Sequence, residues 1–329
     1  MALAREEHPI ELVASAIASA SNIRVESIRF ERTVDRREHR HDYYRATLVD
    51  DATGSSRRTQ VLAKFQGADR ALAAHEAASA LWLAGFQPPS RLRVARPLGY
   101  SAGLGASFQE LSPGATWLNL LTGDGEMIQL VSARAAEWLA ALHERAVQER
   151  AAPHDARSLV AAAFSLADQI SAPGIIDVAA ELEAELTAAH DPLVASHGDF
   201  HPKNVLFDGT SLSIIDLDKL AEREASFDAG DAIGQLLIMA YYQFSSTERG
   251  ALAARAFWHH YARLTGASPE RTTMHIRRAI IQALAFKVAL GSRAMRPVPR
   301  LEDWMSLIVA SNDALEPDEI IERSAGLGT

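Results

Sequence analysis

Between Ser196 and Leu220 the chain reads SHGDFHPKNVLFDGTSLSIIDLDKL. Asp199 and Asn204 stand five positions apart in a loop that opens a strand, and Asp216 follows twelve positions on, where the strand after the Asp208-Gly209 turn ends. Carboxylate and carboxamide oxygens are hard ligands that suit Mg²⁺ beside phosphate groups. A carboxylate just ahead of them, Asp199, can accept a proton from an attacking hydroxyl. Those are the parts phosphoryl transfer needs: metal on the phosphates and a carboxylate that positions the nucleophile. A hairpin over this stretch brings Asn204 and Asp216 side by side at one end of its two strands.

Two other chemistries compete for these residues. His197-x-Asp199-x-His201 can be read as the metal cluster of a hydrolase, but that leaves Asn204 and Asp216 without a role. Gly99-Tyr100-Ser101-Ala102-Gly103 has the spacing of a nucleophile elbow, which requires a helix directly after the serine. Gly103-Leu104-Gly105 follows instead and predicts a turn. A P-loop is excluded, because the chain contains no Gly-Lys pair.

The elements that must position these groups fall into two textures. Up to about Gln109 the patterns alternate. Ile10 to Ala20 reads as a helix; Ile23–Thr33, Tyr43–Asp50 and Gln60–Phe65 read as strands. A helix over Asp69–Gly85 is stopped by Gly85 and the Pro88-Pro89 pair, and Val94–Tyr100 with Ala106–Leu111 form a strand pair. Ser112-Pro113-Gly114 is the strongest boundary signal. Beyond it, helical spacing dominates at Glu126–Gln148, Asp177–His190, Ala229–Tyr242, Thr247–Leu264, Pro269–Ser292 and Leu301–Leu315. The expected class is α+β: a small lobe at 1–111 with an antiparallel sheet and a helix, and a large, mainly helical lobe at 112–329.

Composition narrows the partners. With 33 Lys and Arg against 42 Asp and Glu, the net charge is −9, which argues against a general grip on nucleic acid. There is no cysteine, so disulfides, thiolate metal sites and cysteine nucleophiles are excluded. The most apolar run, Ala279 to Leu290, is interrupted by Gln282 and Lys287 and falls short of the roughly 20 residues of a membrane span. No signal peptide is visible, so the expected location is cytoplasmic.

The spacing His197-x-Asp199-Phe200-x-x-x-Asn204 matches the protein-kinase catalytic loop. HGDFHPKN followed by IIDLD resembles, more closely, the aminoglycoside phosphotransferase and choline kinase group of kinase-like small-molecule phosphotransferases. The resemblance runs from about Arg29 to Leu237. It implies a two-lobed protein-kinase-like fold, ATP and Mg²⁺ as cofactors, and transfer of the γ-phosphoryl group to a hydroxyl of a small molecule. On it, Asp199 is the catalytic base, His197 orients the loop, and Asn204 and Asp216 bind Mg²⁺. Lys64 and its partner Glu76 hold the phosphates, and Gln109, Glu110 and Leu111 present backbone to adenine. Asp228 holds the catalytic-loop backbone, and Asp218 occupies a position that is often acidic. An aminoglycoside or other hydroxylated antibiotic, a sugar or an amino alcohol are the acceptors implied, with antibiotic resistance among the implied roles. One departure is the stretch Val34–Tyr43, where the family's phosphate-covering loop belongs. It has no glycine; Arg36, Arg37, His39, Arg40 and His41 offer side-chain charge in its place. A nucleotide-binding regulator without turnover is the reading that this departure favours.

Overall fold

The computed structural model describes residues 9–20, 22–35, 40–145, 159–167, 174–188, 191–289, 301–310 and 316–327. The chain divides into two compact units. The first holds Met1–Pro113 and Ser213–Asp218; the second holds Gly114–Leu212 and Lys219–Thr329.

In the first unit, helix α1 (Ile10–Ala20) precedes strands β1 (Ile23–Asp35), β2 (Arg40–Asp50) and β3 (Ser56–Phe65). Helix α2 (Ala68–Leu83) follows, then β4 (Leu92–Val94), β5 (Pro97–Ser101) and β6 (Ala106–Glu110). Five strands form one sheet in the order β1-β2-β3-β6-β5, antiparallel throughout. β3 lies at its centre, flanked by β2 and β6. Its apolar residues Val61 and Ala63 join Tyr44, Leu48, Leu98 and Phe108 in a core that Val13 and Ile17 of α1 cover. A central strand has its backbone paired on both sides, so what it carries is held firmly. Lys64 is carried there, between His41 of β2 and Ser107 of β6 in register.

Pairing of β1 with β2 continues to Asp35 and Arg40. Of the expected phosphate-covering stretch, residues 34–35 and 40–43 are strand, and Arg36, Arg37 and His39 lie outside the described residues. The single strand expected at Val94–Tyr100 is two. The chain breaks ahead of Pro97, which has no N–H to give a ladder, and the carbonyl of Arg96 instead takes the N–H of Glu110.

The second unit begins with β7 (Ala115–Thr116), α3 (Trp117–Leu120), α4 (Gly125–His143), α5 (Leu159–Ala167) and α6 (Ile175–Ala188). Strands β8 (Leu193–Ser196) and β9 (Val205–Phe207) follow. After β10 (Leu212–Ile214), which crosses the boundary between units, come β11 (Ala221–Glu224), α7 (Ala225–Phe244), α8 (Glu248–Thr265), α9 (Pro269–Ala289), α10 (Leu301–Ala310) and α11 (Pro317–Ala325). Asp124 caps α4 by accepting the Met127 N–H at 2.8 Å. α7 packs on α8 and α9, and α4 on α8. The α7–α9 approach is close enough to require glycine: a Cβ on Gly230 would stand 2.3 Å from the Cβ of His275. The ends expected for the helices near 148, 190, 292 and 315 lie outside the described residues. Among the described residues no helix is long and apolar enough to cross a membrane.

Candidate active site

In the second unit, strand β8 ends at Ser196 and delivers the loop that carries His197, Asp199 and Asn204. β8 pairs with β11, Ser196 opposite Ala221, and β11 runs directly into α7. Asp228 sits in the first turn of α7, fully buried. Its Oδ2 accepts the N–H of His197 at 2.7 Å and its Oδ1 the N–H of Gly198 at 2.9 Å. Burial pushes this carboxyl up, but the neighbouring imidazoles of His143 and His197 and the Gly198 N–H outweigh that and bring it down to about 2. His143, at the end of α4, stands with Nε2 3.7 Å from Asp228 Oδ2, too long for a hydrogen bond and close enough for charge. Its Nδ1 shares a 3.0 Å hydrogen bond with the Tyr261 hydroxyl.

The loop is fixed from within as well. The N–H of Asp199 donates to Nδ1 of His197 at 3.2 Å, and Nδ2 of Asn204 donates to the carbonyl of Asp199 at 3.1 Å. Phe200 stacks on Trp138 of α4 with centroids 5.9 Å apart and an interplanar angle of 14°. Asp199 is thus held at the backbone on both sides, and its carboxylate stays 32% exposed. Two nitrogens stand beside it: the Lys219 ammonium Nζ at 3.3 Å from Oδ1, and the His201 imidazole Nε2 at 3.8 Å from Oδ2.

Gly198 makes this arrangement possible. Its φ is +77°, and a Cβ there would stand 2.5 Å from the carbonyl oxygen of Lys219. Gly198→Ala combines left-handed strain with a backbone clash, and is expected to cost about 2 kcal/mol or more of stability. Denaturant unfolding of the variant checks this; an unchanged midpoint would show that the loop relaxes freely.

A buried cluster moors the foot of α7. Glu224 accepts from Arg271 (Nε 3.0 Å, Nη2 2.7 Å) and shares a 2.6 Å bond with His275 Nε2. Burial lowers the His275 imidazole to about 4. The neutral ring then donates from Nε2 to Glu224 and accepts the Arg278 Nε–H at Nδ1, 3.0 Å away. Arg278 also reaches Asp231 at 2.7 Å and lies 3.9 Å over the Phe227 ring. Burial first, and then the Asp228 and Asp199 carboxylates, push the Asp231 carboxyl up to about 6 against the pull of Arg278.

In the first unit, Lys64 is buried and its Nζ donates to Oδ1 of Asp216. A buried ammonium without a counter-charge is costly, so this pair supports the whole strand end. Asp216 has φ +69°, a left-handed backbone that Asp tolerates better than most residues. Strain of this kind collects at working sites. Asp216 is thus a counter-ion of Lys64, and Glu76, expected beside that lysine, is an exposed residue of α2. Asp218 is half-buried two residues beyond. Of the expected adenine-facing segment, Gln109 pairs with Leu62 and Pro97 inside the sheet. The N–H of Glu110 is spent on the carbonyl of Arg96 and that of Leu111 on Gln60, both at 2.9 Å. The Glu110 side chain takes Arg57 at 2.5 Å.

The competing chemistries do not form. The His197 ring is buried and occupied by the Asp199 N–H, and among the described residues no group of three His, Asp or Glu could hold a metal ion. Ser101 closes β5, and the chain turns into β6 rather than a helix. For Mg²⁺, the donor set of the kinase-type reading fits. The Asn204 Nδ2 is committed to Asp199, which turns its hard Oδ1 to other use, and Asp216 keeps a partly exposed carboxylate.

Three further residues belong to this site without having been singled out in the sequence: Lys219, Arg223 and Tyr261. The only signal for Lys219 is its place three positions after Asp216.

Comparison with solved structures places the fold among kinases. An amicoumacin kinase bound to AMP-PNP and Ca²⁺ matches with a TM-score of 0.59 at 13% identity, over 93% of this chain and 94% of that one. The choline kinase LicA of Streptococcus pneumoniae matches with a TM-score of 0.54 at 15% identity, over 91% and 97%. A choline/ethanolamine kinase family protein of Mesorhizobium loti gives 0.52 at 16%, over 90% and 92%. No curated protein sequence matches the chain. The α+β fold is therefore the protein-kinase-like one. The model of the APH family, described as the phosphotransferase enzyme family, matches residues 42–273 and takes in Lys64, the 197–204 loop, Asp216 and Asp228. Matched over well more than half its length, the chain belongs to the phosphotransferase enzyme family.

Proposed function

We propose that this protein is an ATP-dependent O-phosphotransferase that moves the γ-phosphoryl group of ATP to a hydroxyl of a small molecule. The observation that carries the reading is the catalytic loop. A fully buried carboxylate, Asp228, clamps two consecutive backbone N–H groups while the Asp199 carboxylate on the same loop stays partly exposed. Family membership and the nucleotide analogue held by the amicoumacin kinase support it.

In this reading 1–111 is the nucleotide-binding lobe and 112–329 the catalytic and acceptor-binding lobe. Asp199 aligns the acceptor hydroxyl and takes its proton; His197 fixes the Asp199 backbone, and Asp228 fixes that of the loop. Asn204 and Asp216 would hold Mg²⁺, which when bound neutralises phosphate charge. Lys64, poised on Asp216, reaches for the phosphates. Gln109, Glu110 and Leu111 lie along the adenine with their backbone. Glu76 and Asp218 stay at the margin, as charges near this machinery. The transition state is loose, so positioning and charge neutralisation supply the rate. The similar kinases name the acceptor classes to try: hydroxylated antibiotics, amino alcohols and sugars.

Lys64→Met is expected to lower kcat/KM for ATP about 10²-fold, the scale of losing one charge-stabilising donor. Steady-state kinetics over ATP concentration read it. An unchanged value would remove Lys64 from the phosphate site.

The reading itself is tested by mass spectrometry. The protein, ATP and Mg²⁺ are incubated with aminoglycosides, other hydroxylated antibiotics, sugars and amino alcohols, with Asp199→Asn as control. A mass gain of one phosphoryl group, seen only with the wild type, is the expected result. No product together with no binding of ATP would overturn the proposal.

A further inference from the structure

Lys219 follows Asp216-Leu217-Asp218 and is exposed, so by its sequence it reads as a solvated charge. Its surroundings say otherwise. The β8–β11 ladder pairs Ser196 with Ala221. Asp199 lies three residues past one end of that pair and Lys219 two residues before the other, so both leave the ladder at the same end. The backbone of Lys219 is pinned there. Its carbonyl accepts Nη1 of Arg223, on β11, at 3.0 Å, and presses on Gly198 so closely that a Cβ would stand 2.5 Å away. From this fixed root the side chain brings Nζ to 3.3 Å from Oδ1 of Asp199. The two side chains are 46% and 32% exposed, and an ion pair in such a setting adds little to stability. A frame this specific around a contact of so little structural worth points to the reaction.

An ammonium carries three N–H donors. Such a group can meet two anions at once. Resting on the phosphotransferase reading above, we infer that Lys219 is a further catalytic residue, whose ammonium bridges Asp199 and a non-bridging oxygen of the phosphoryl group in transfer. The acceptor oxygen forms its bond to phosphorus. The bond from phosphorus to the bridging oxygen of ATP breaks, and ADP leaves with that electron pair. The acceptor proton passes to Asp199. Negative charge on the phosphoryl oxygens meets Lys219, whose position against the base also sets the line of attack. Oδ2 of Asp199, on the side of His201, stays open to the acceptor hydroxyl.

The test uses the full chain with MgATP, water as the acceptor, and in parallel any acceptor the mass-spectrometric panel identifies. Lys219→Met is expected to lower kcat about 10²-fold, the scale of one donor to a transition-state oxyanion. KM for ATP should change by less than about threefold, because the contact tightens only in transfer. Lys219→Arg, which keeps the charge in a different shape, should recover about a tenth of the activity. A structural role would not move the sulfur effect: the ratio of rates with ATP and with ATPγS should shrink in Lys219→Met, because the cation that meets the substituted oxygen is gone. A variant within about twofold of wild type in kcat, an unchanged sulfur effect, or a loss of ATP binding as large as the loss of turnover would each overturn the assignment. A wild type that turns over neither water nor any acceptor faster than Asp199→Asn overturns instead the phosphotransferase reading, and the role of Lys219 with it.

Discussion

Asp199→Asn is expected to lower turnover about 10³-fold, inside the 10²–10⁴ range of a positioned proton acceptor. The change keeps the shape of the side chain and removes its charge and its capacity to take a proton. The hydrogen bonds at the Asp199 backbone do not use this carboxylate. The Asp199 N–H goes to His197 and its carbonyl takes Asn204, so both contacts survive the substitution. ATP binding should therefore stay within about threefold of wild type, because the lost contact is made in transfer rather than in binding. Calorimetric titration with ATP and Mg²⁺ and a single-turnover assay separate the two effects. A variant that keeps a tenth of the wild-type rate would take the base role away from Asp199.

The largest effect on the fold is expected at Asp228. Asp228→Ala removes the acceptor of two buried N–H groups, those of His197 and Gly198. At about 1–3 kcal/mol for each buried donor left without a partner, the variant should lose roughly 2–6 kcal/mol, much of a domain's net stability. The same carboxyl gives the stability a pH dependence of known sign. Folding brings it from an ordinary 3.8 to about 2. A depressed carboxylate stabilises the folded state above its unfolded value, so the full contribution, about 2 kcal/mol, is present above roughly pH 4. It fades as the pH falls from there toward 2. Urea unfolding at pH 7 and at pH 3 should show the gap between wild type and variant narrowing at the lower pH. A gap that stays constant would assign the stability to packing rather than to the charge.

The catalytic loop was legible in the sequence because its parts are contiguous. Asp199, Asn204 and Asp216 fall within eighteen residues, and the chemistry of each is carried by its type. Asp228 was legible for the same reason of nearness. The Lys64 partner was not. The lysine meets Asp216, 152 positions away, whereas the family resemblance pointed to an acid on the next helix. The Glu110 and Leu111 amides escaped for a different reason: whether a backbone donor is free depends on which strand lies beside it. Lys219 reads as a surface charge until the β8–β11 ladder shows what it stands against. Among the elements, long periodic helices such as α8 and α9 were plain. The short α5 and α11 were not, since one or two turns of apolar spacing resemble loop sequence. The two-residue β7 and four-residue β11 owe their strand form to their partners rather than to their own residues.

The path of the chain between β8 and β11 has a practical consequence. It leaves the second unit after Leu212, gives Ser213–Asp218 to the first, and returns at Lys219. The counter-ion of the buried lysine in the first unit is thus encoded a hundred residues after that unit otherwise ends. No single cut of the gene separates the two units. A fragment ending near Pro113 would keep Lys64 and lose Asp216, parting a buried ammonium from the carboxylate it donates to, and the complementary fragment would carry a six-residue excursion with no home. Dissection of this protein into halves should therefore yield one insoluble piece, and exchange of lobes between relatives would need three junctions, at 113/114, 212/213 and 218/219, not one.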